Sequence, residues 1–169
     1  MNNVQIHLAL THVPVILSLV GLAMLAGAII IKSSMLTKTS YIVILVAAIA
    51  AVPVYFTGEG TEHAVENLAG ISGNAIEQHE ELAKLAMISM VLAGVAALAA
   101  LMMSGWQMIS RVLRILVLLL CIISGGLMAG TAHYGGQIRH TEIGNGAVMQ
   151  SNDAGNKHSD TDRREKEND

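Results

Sequence analysis

The chain has 169 residues, of which 53% are hydrophobic and only 14% are charged, with a mean hydropathy of +0.54. A soluble domain of this length could not bury so much apolar surface, so composition predicts a protein that uses the lipid bilayer as its solvent. The net charge of −3 argues against nucleic acid as a partner. The single cysteine excludes a disulfide framework and a cysteine-based metal motif.

Four apolar stretches predict an all-α, integral membrane four-helix bundle, with helices over about 8–31, 41–58, 75–103 and 111–134. The first stretch lacks a basic n-region and stays apolar beyond Ala26-Gly27-Ala28, so we interpret it as a retained helix rather than a signal peptide. The second carries Pro53, which predicts a kink or an extension through Thr57 and Gly58. Residues 1–143 would form the membrane domain, and the polar residues 144–169 a disordered tail.

The distribution of charge between the connections predicts the orientation of the bundle. The two short connections carry four basic residues and no acid, whereas the long connection over 57–81 is rich in glutamate. The basic residues are Lys32, Lys38, Arg111 and Arg114. The positive-inside rule then places the short connections in the cytoplasm and both termini on the periplasmic side of a bacterial inner membrane.

Two further features of the helices lead to packing predictions. Tyr41 and Trp106 are expected to anchor the helix ends at the membrane interface. Gly125-Gly126 and Gly130 are expected to permit close approach between helices, because a residue without a side chain lets two backbones come together.

Histidine is concentrated at the outer ends of the predicted helices. Imidazole without thiolate suits haem iron, copper, zinc or non-haem iron, and nearby carboxylates such as Glu59 and Glu62 could be extra ligands or fix the imidazole tautomers. A purely interfacial role is the alternative, since the outer segments are longer and polar residues would collect there anyway. The six outer histidines are His7, His12, His63, His79, His133 and His140.

Four short motifs resemble a known family, the bacterial four-span membrane proteins grouped as domain of unknown function 2231. The motifs are the His-x4-His-x-Pro run of His7, His12 and Pro14, the pair Thr57-Gly58, the pair Gln78-His79, and the Gly-Gly-x-x-x-His segment from Gly135-Gly136 to His140. The resemblance covers about residues 5–143.

The resemblance implies redox work with b-type haem, and it makes ligand candidates of His7, His12, His79 and His140. The chain departs from the family pattern by having Gln137 where an acid is usual, and by the additional His63 and His133.

Three functional hypotheses follow. The first is a membrane electron-transfer subunit that binds haem b through His7, His12, His79 and His140 and works with other membrane or periplasmic redox proteins. The second is a non-haem copper or zinc site. The third is a non-catalytic scaffold or assembly subunit. In each case we expect no enzyme activity from the chain on its own, and a homo-oligomer is compatible with all three. The metal candidates of the second hypothesis are His63, His133, Glu59 and Glu62.

Overall fold

The computed structural model describes residues 3–65 and 73–139, and every regular element in this part of the chain is an α-helix. The helices are α1 (Asn3–Ile31), α2 (Ser34–Val65), α3 (Gly73–Met102) and α4 (Gln107–Arg139). Each contains a stretch long and apolar enough to cross a bilayer. The predicted all-α membrane bundle is therefore confirmed, and the protein is a multi-pass membrane protein. The predicted disordered tail and His140 lie outside the described residues.

The helices extend beyond the apolar stretches that predicted them. α1 ends where Lys32 adopts a left-handed conformation (φ 56°), and the Ser33 N–H closes its last turn by donating to Ala28 O at 3.1 Å. The Ser33 hydroxyl then accepts from the Leu36 N–H at 3.3 Å and caps α2. The turn therefore occupies only residues 32–33, and Lys38 lies within α2 rather than in the connection.

The four helices form a ring. α1 packs on α2, α2 on α3 and α3 on α4, while α4 closes the ring against α1 through the smallest of the four interfaces. α1 and α3 are thus diagonally opposite, as are α2 and α4. We call the end with the turns at 32–33 and 103–106 the turn end, and the opposite end, where α1 begins and α4 finishes, the termini end.

Small side chains make up most of the core where α2 meets α3. A Cβ added at Gly94 would lie 2.5 Å from the Cβ of Ala48, so α2 and α3 are in contact at that point. Gly21 likewise marks a close contact between α1 and α2, because a Cβ added there would lie 2.6 Å from Ile44 Cγ1. The alanines of α2 and α3 in the core cluster are Ala47, Ala48, Ala51, Ala93, Ala96, Ala97 and Ala100.

Three of the packing predictions need comment. The prediction for Gly125-Gly126 is wrong, because a Cβ at either position would meet nothing within 4 Å, whereas one at Gly130 would lie 3.2 Å from Leu82 Cδ1. The prediction for Tyr41 is also wrong: its side chain is only 2% exposed, because it points into the bundle. Trp106 is 68% exposed at the α3–α4 turn, as an interface anchor would be.

Candidate functional site

His7 lies near the start of α1 and is held by α2. Its Nδ1 is 3.1 Å from Val54 O and 3.2 Å from Thr57 Oγ1, and the Thr57 hydroxyl itself donates to Val54 O at 2.9 Å. A carbonyl oxygen can only accept, so the His7 Nδ1 carries the proton and donates it to this pair of oxygens. The neutral ring consequently has its free lone pair on Nε2.

The ring of His7 rests on Gly58. A Cβ at Gly58 would lie 2.8 Å from His7 Cε1 and 3.4 Å from both ring nitrogens. Real Cβ atoms do not approach a ring carbon this closely, so glycine is the residue that lets the imidazole lie against α2. The Thr57-Gly58 pair therefore supplies a hydrogen-bond acceptor and a flat surface for one side chain.

His79 is held in the same way by the other hairpin. Its Nδ1 donates to Thr131 O at 2.9 Å, across from α3 to α4. The Thr131 hydroxyl bonds within its own helix, donating to Leu127 O at 2.9 Å. A Cβ at Gly135 would lie 3.2 Å from both Cε1 and Nδ1 of His79, so this ring also lies on a glycine.

The two histidine sites are related by a repeat in the two hairpins. In each hairpin the first helix carries the histidine, the second carries the accepting carbonyl, and the glycine follows that carbonyl by four residues, from Val54 to Gly58 and from Thr131 to Gly135. Four residues is about one helical turn, which brings the carbonyl and the glycine to one face of the helix. Because α1 and α3 are diagonal in the ring, the repeat brings two imidazoles to the termini end from opposite sides of the bundle.

His79 lies close enough to His7 to affect the pKa of the His7 ring. Burial lowers the pKa of His7 below its ordinary value of 6.5, the hydrogen bond to Val54 opposes this, and the charge on His79 lowers the pKa further. His7 is therefore held as neutral imidazole at neutral pH, and only the neutral ring can coordinate a metal. None of the described hydrogen bonds uses Nε2 of either ring.

The other predicted ligands in the described part of the chain lie on different helix faces. His12 is exposed and follows His7 by five residues, which at 100° per residue turns it about 140° away. His133 is also exposed and lies edge-to-face on Tyr134, with ring centroids 5.5 Å apart. It is two residues from both Thr131 and Gly135, on the opposite side of α4 from the face that holds His79.

The remaining candidates do not enter the site's described geometry. Glu59, Glu62 and His63 fall within α2, but their side chains lie outside the described residues, as does all of His140. Within the described residues, no three His, Cys, Asp or Glu side chains come together as a metal-binding group. Any ligand set for these four residues therefore remains a prediction.

Comparison with known protein families, curated proteins and solved structures finds no match for this chain. The resemblance to domain of unknown function 2231 accordingly stays a prediction. Its motifs nonetheless coincide with structural features, since His7, Thr57, Gly58, His79 and Gly135 all belong to the two histidine sites. Sequence reasoning missed the carbonyl acceptors Val54 O and Thr131 O, because a backbone oxygen is present at every residue and has no sequence signal.

Proposed function

We propose that this protein is a membrane electron-transfer subunit in which His7 and His79 would together hold one b-type haem. The observation that carries the proposal is the matched pair of imidazoles, each with Nδ1 bonded to a backbone carbonyl and with Nε2 in none of the described hydrogen bonds. Hydrogen-bonded Nδ1 groups are the usual way in which a protein fixes the tautomer and orientation of a ligating histidine.

The number of ligands favours haem over copper or zinc. Haem iron takes four donors from the macrocycle and needs at most two from the protein, whereas a zinc site takes three or four protein ligands. The described residues bring together two matched imidazoles and form no group of three. The copper or zinc hypothesis would require residues from the set Glu59, Glu62, His63 and His140.

Each ring lies against a glycine of its own hairpin, His7 against Gly58 and His79 against Gly135. A planar group held by both rings would lie between α1 and α3. Haem would supply one-electron chemistry when bound. The protein's own contribution would be to fix the orientation of both rings through their Nδ1 hydrogen bonds and to keep His7 neutral.

An absorbance measurement tests the proposal. The full chain, purified in detergent from cells supplied with haem precursor, is compared by visible spectroscopy after reduction with dithionite and after oxidation, with metal analysis on the same sample. We expect a sharp reduced α-band and about one haem per chain, and we expect His7→Ala and His79→Ala each to abolish the band by removing one of the two proposed ligands.

Two matched variants distinguish this ligand pair from the larger set that the sequence predicted. His12→Gln and His133→Gln remove histidines at the same end of the bundle but on other faces, and both should retain the band. Loss of the band in His12→Gln with retention in His79→Ala would refute the assignment. A flat spectrum with stoichiometric copper or zinc would favour the metal hypothesis, and a flat spectrum with neither would favour the scaffold.

A further inference from the structure

A second polar site lies at the turn end, away from the histidines. Tyr41 of α2 is 2% exposed, and its O–H finds no acceptor within the described part of the chain. The guanidinium of Arg114, on the diagonally opposite helix α4, lies beside the hydroxyl oxygen, which can accept from it but leaves the O–H unsatisfied. The Arg114 Nε is buried as well, and it also lacks an acceptor among the described residues.

Two buried donors without an acceptor indicate a ligand that brings oxygen atoms. An unpaired buried N–H or O–H costs roughly 1–3 kcal/mol, more where the group is charged, so proteins seldom leave two side by side. The missing partner must accept from a hydroxyl and from a guanidinium, and phosphate oxygens suit a guanidinium best.

The charge of the turn end favours an anion. Of the basic residues in the described part of the chain, all except Lys84 and Arg139 lie here, and residues 9–58 and 82–136 contain no aspartate or glutamate. Lys38 and Arg111 are exposed on the same end of the bundle. Basic pockets between membrane helices commonly bind the headgroups of anionic lipids.

The depth of the pair also matches a lipid headgroup. α2 has 32 residues, or roughly 48 Å of helix, and a hydrocarbon core is about 30 Å thick. A centred helix thus projects about 9 Å on each side, while Tyr41 lies about 10 Å from the start of α2 and Arg114 about 10 Å from the start of α4. Both residues therefore lie near the hydrocarbon boundary, within reach of a lipid phosphate for a long side chain.

We propose that Tyr41 and Arg114 bind the phosphate group of an anionic ligand, supplied either by a phospholipid of the surrounding leaflet or as free phosphate. The access route in this proposal is the seam between α1 and α4, which is the smallest interface in the ring. Exposed apolar side chains of α4 beside Arg114, namely Val112, Ile115 and Leu116, provide a surface for acyl chains.

Lipid titration of the full chain tests this proposal independently of the haem. Short-chain phosphatidylglycerol, short-chain phosphatidylcholine and inorganic phosphate are each titrated into protein in a neutral detergent, with thermal stability and native mass spectrometry as readouts. We expect phosphatidylglycerol to bind at least about tenfold more tightly than phosphatidylcholine. Tyr41→Phe and Arg114→Gln should each lower the affinity for phosphatidylglycerol about tenfold, which corresponds to the loss of one charge-assisted hydrogen bond.

Arg111→Gln is the matched control, because it removes the same charge from the same helix one turn earlier, from an exposed side chain. This substitution should lower the affinity for phosphatidylglycerol by less than about threefold, because an exposed charge contributes little. Saturable binding of inorganic phosphate that depends on the same two residues would support the site and assign free phosphate as its source. The proposal would be overturned if Arg111→Gln weakened binding as much as Arg114→Gln does, or if Tyr41→Phe left binding unchanged. Tyr41→Phe keeps the aromatic ring, so it tests the proposal even if Arg114→Gln fails to fold.

Discussion

Replacing Gly58 with alanine tests whether the glycine surface determines the position of His7. The added Cβ would lie 2.8 Å from Cε1 of a ring that Val54 and Thr57 hold in place, so the ring must move. Overpacking costs typically ~1–3 kcal/mol, and loss of the hydrogen bond costs about 0.5–1.5 kcal/mol. The gain in helix propensity from glycine to alanine returns ~1 kcal/mol. We therefore expect Gly58→Ala to lower the free energy of unfolding by about 1–3 kcal/mol.

Two glycine-to-alanine substitutions in α4 serve as controls for Gly58→Ala. The Cβ at Gly135 would lie 3.2 Å from His79, so a shift of a few tenths of an ångström suffices and the net effect should be within about 1 kcal/mol of zero. The Cβ at the adjacent Gly136 meets nothing within 4 Å, so Gly136→Ala should stabilise the protein by up to ~1 kcal/mol through propensity alone.

Thermal unfolding of the three variants in one detergent, followed by circular dichroism, gives the order of stability. We expect Gly136→Ala to be the most stable, Gly135→Ala intermediate and Gly58→Ala the least. Side-chain ¹⁵N spectra of the histidines report the tautomer of His7 in the same samples. Equal stability of Gly58→Ala and Gly136→Ala, with an unchanged His7 tautomer, would refute the packing of His7 on Gly58.

Two further predictions concern the charge of His7 and the contact between α2 and α3. Because burial lowers the pKa of His7 below 6.5, the unfolded chain takes up this proton at a higher pH than the folded chain does. The contribution of His7 to the free energy of unfolding should therefore be fully present above pH 6.5 and be lost as the pH falls below it. Thermal melts of His7→Gln should show a smaller loss of stability at low pH than the native protein, and an identical pH profile would contradict the burial of His7. Gly94→Ala should lower the free energy of unfolding by about 1–3 kcal/mol, because its Cβ would lie 2.5 Å from that of Ala48. Gly27→Ala, whose Cβ would meet nothing within 4 Å, should not lower it, and equal melting temperatures of the two variants would contradict the contact between α2 and α3.

Sequence reasoning predicted the four helices but not their full lengths, for a physical reason. The length of an uncharged apolar run indicates which part of a helix lies within the hydrocarbon core. The helix itself continues beyond the core wherever its backbone groups are capped or hydrated. α2 therefore begins at Ser34, under the Ser33 cap, and includes Lys38, which the sequence placed in a connection. The orientation of the bundle across the membrane stays a prediction from the positive-inside rule.

The candidate site was predictable in its residues but not in its pairing. The sequence singled out His7 and His79 together with six other ligand candidates, and nothing in their spacing separated them. Their pairing depends on the ring order of the helices, which places α1 opposite α3, and on carbonyl acceptors that every residue possesses. The burial of Tyr41 was missed for a similar reason, because a tyrosine near a helix end is typical of an interface anchor and only its direction in the bundle shows otherwise.

The repeated arrangement of the two histidines favours the proposed ligand role over the alternative that they are polar residues merely tolerated at the membrane interface. A histidine that only fills space needs one acceptor and has no requirement for its second nitrogen. Here the same three features recur in both hairpins, namely an Nδ1 donor, a carbonyl acceptor and a glycine one turn beyond that carbonyl. Apart from the histidine, the carbonyl and the glycine, the paired positions differ in sequence, since Thr57 precedes Gly58 and Tyr134 precedes Gly135. The shared feature is therefore an imidazole whose Nδ1 is fixed by a carbonyl of its own hairpin, which is the arrangement that the proposed ligand role would require.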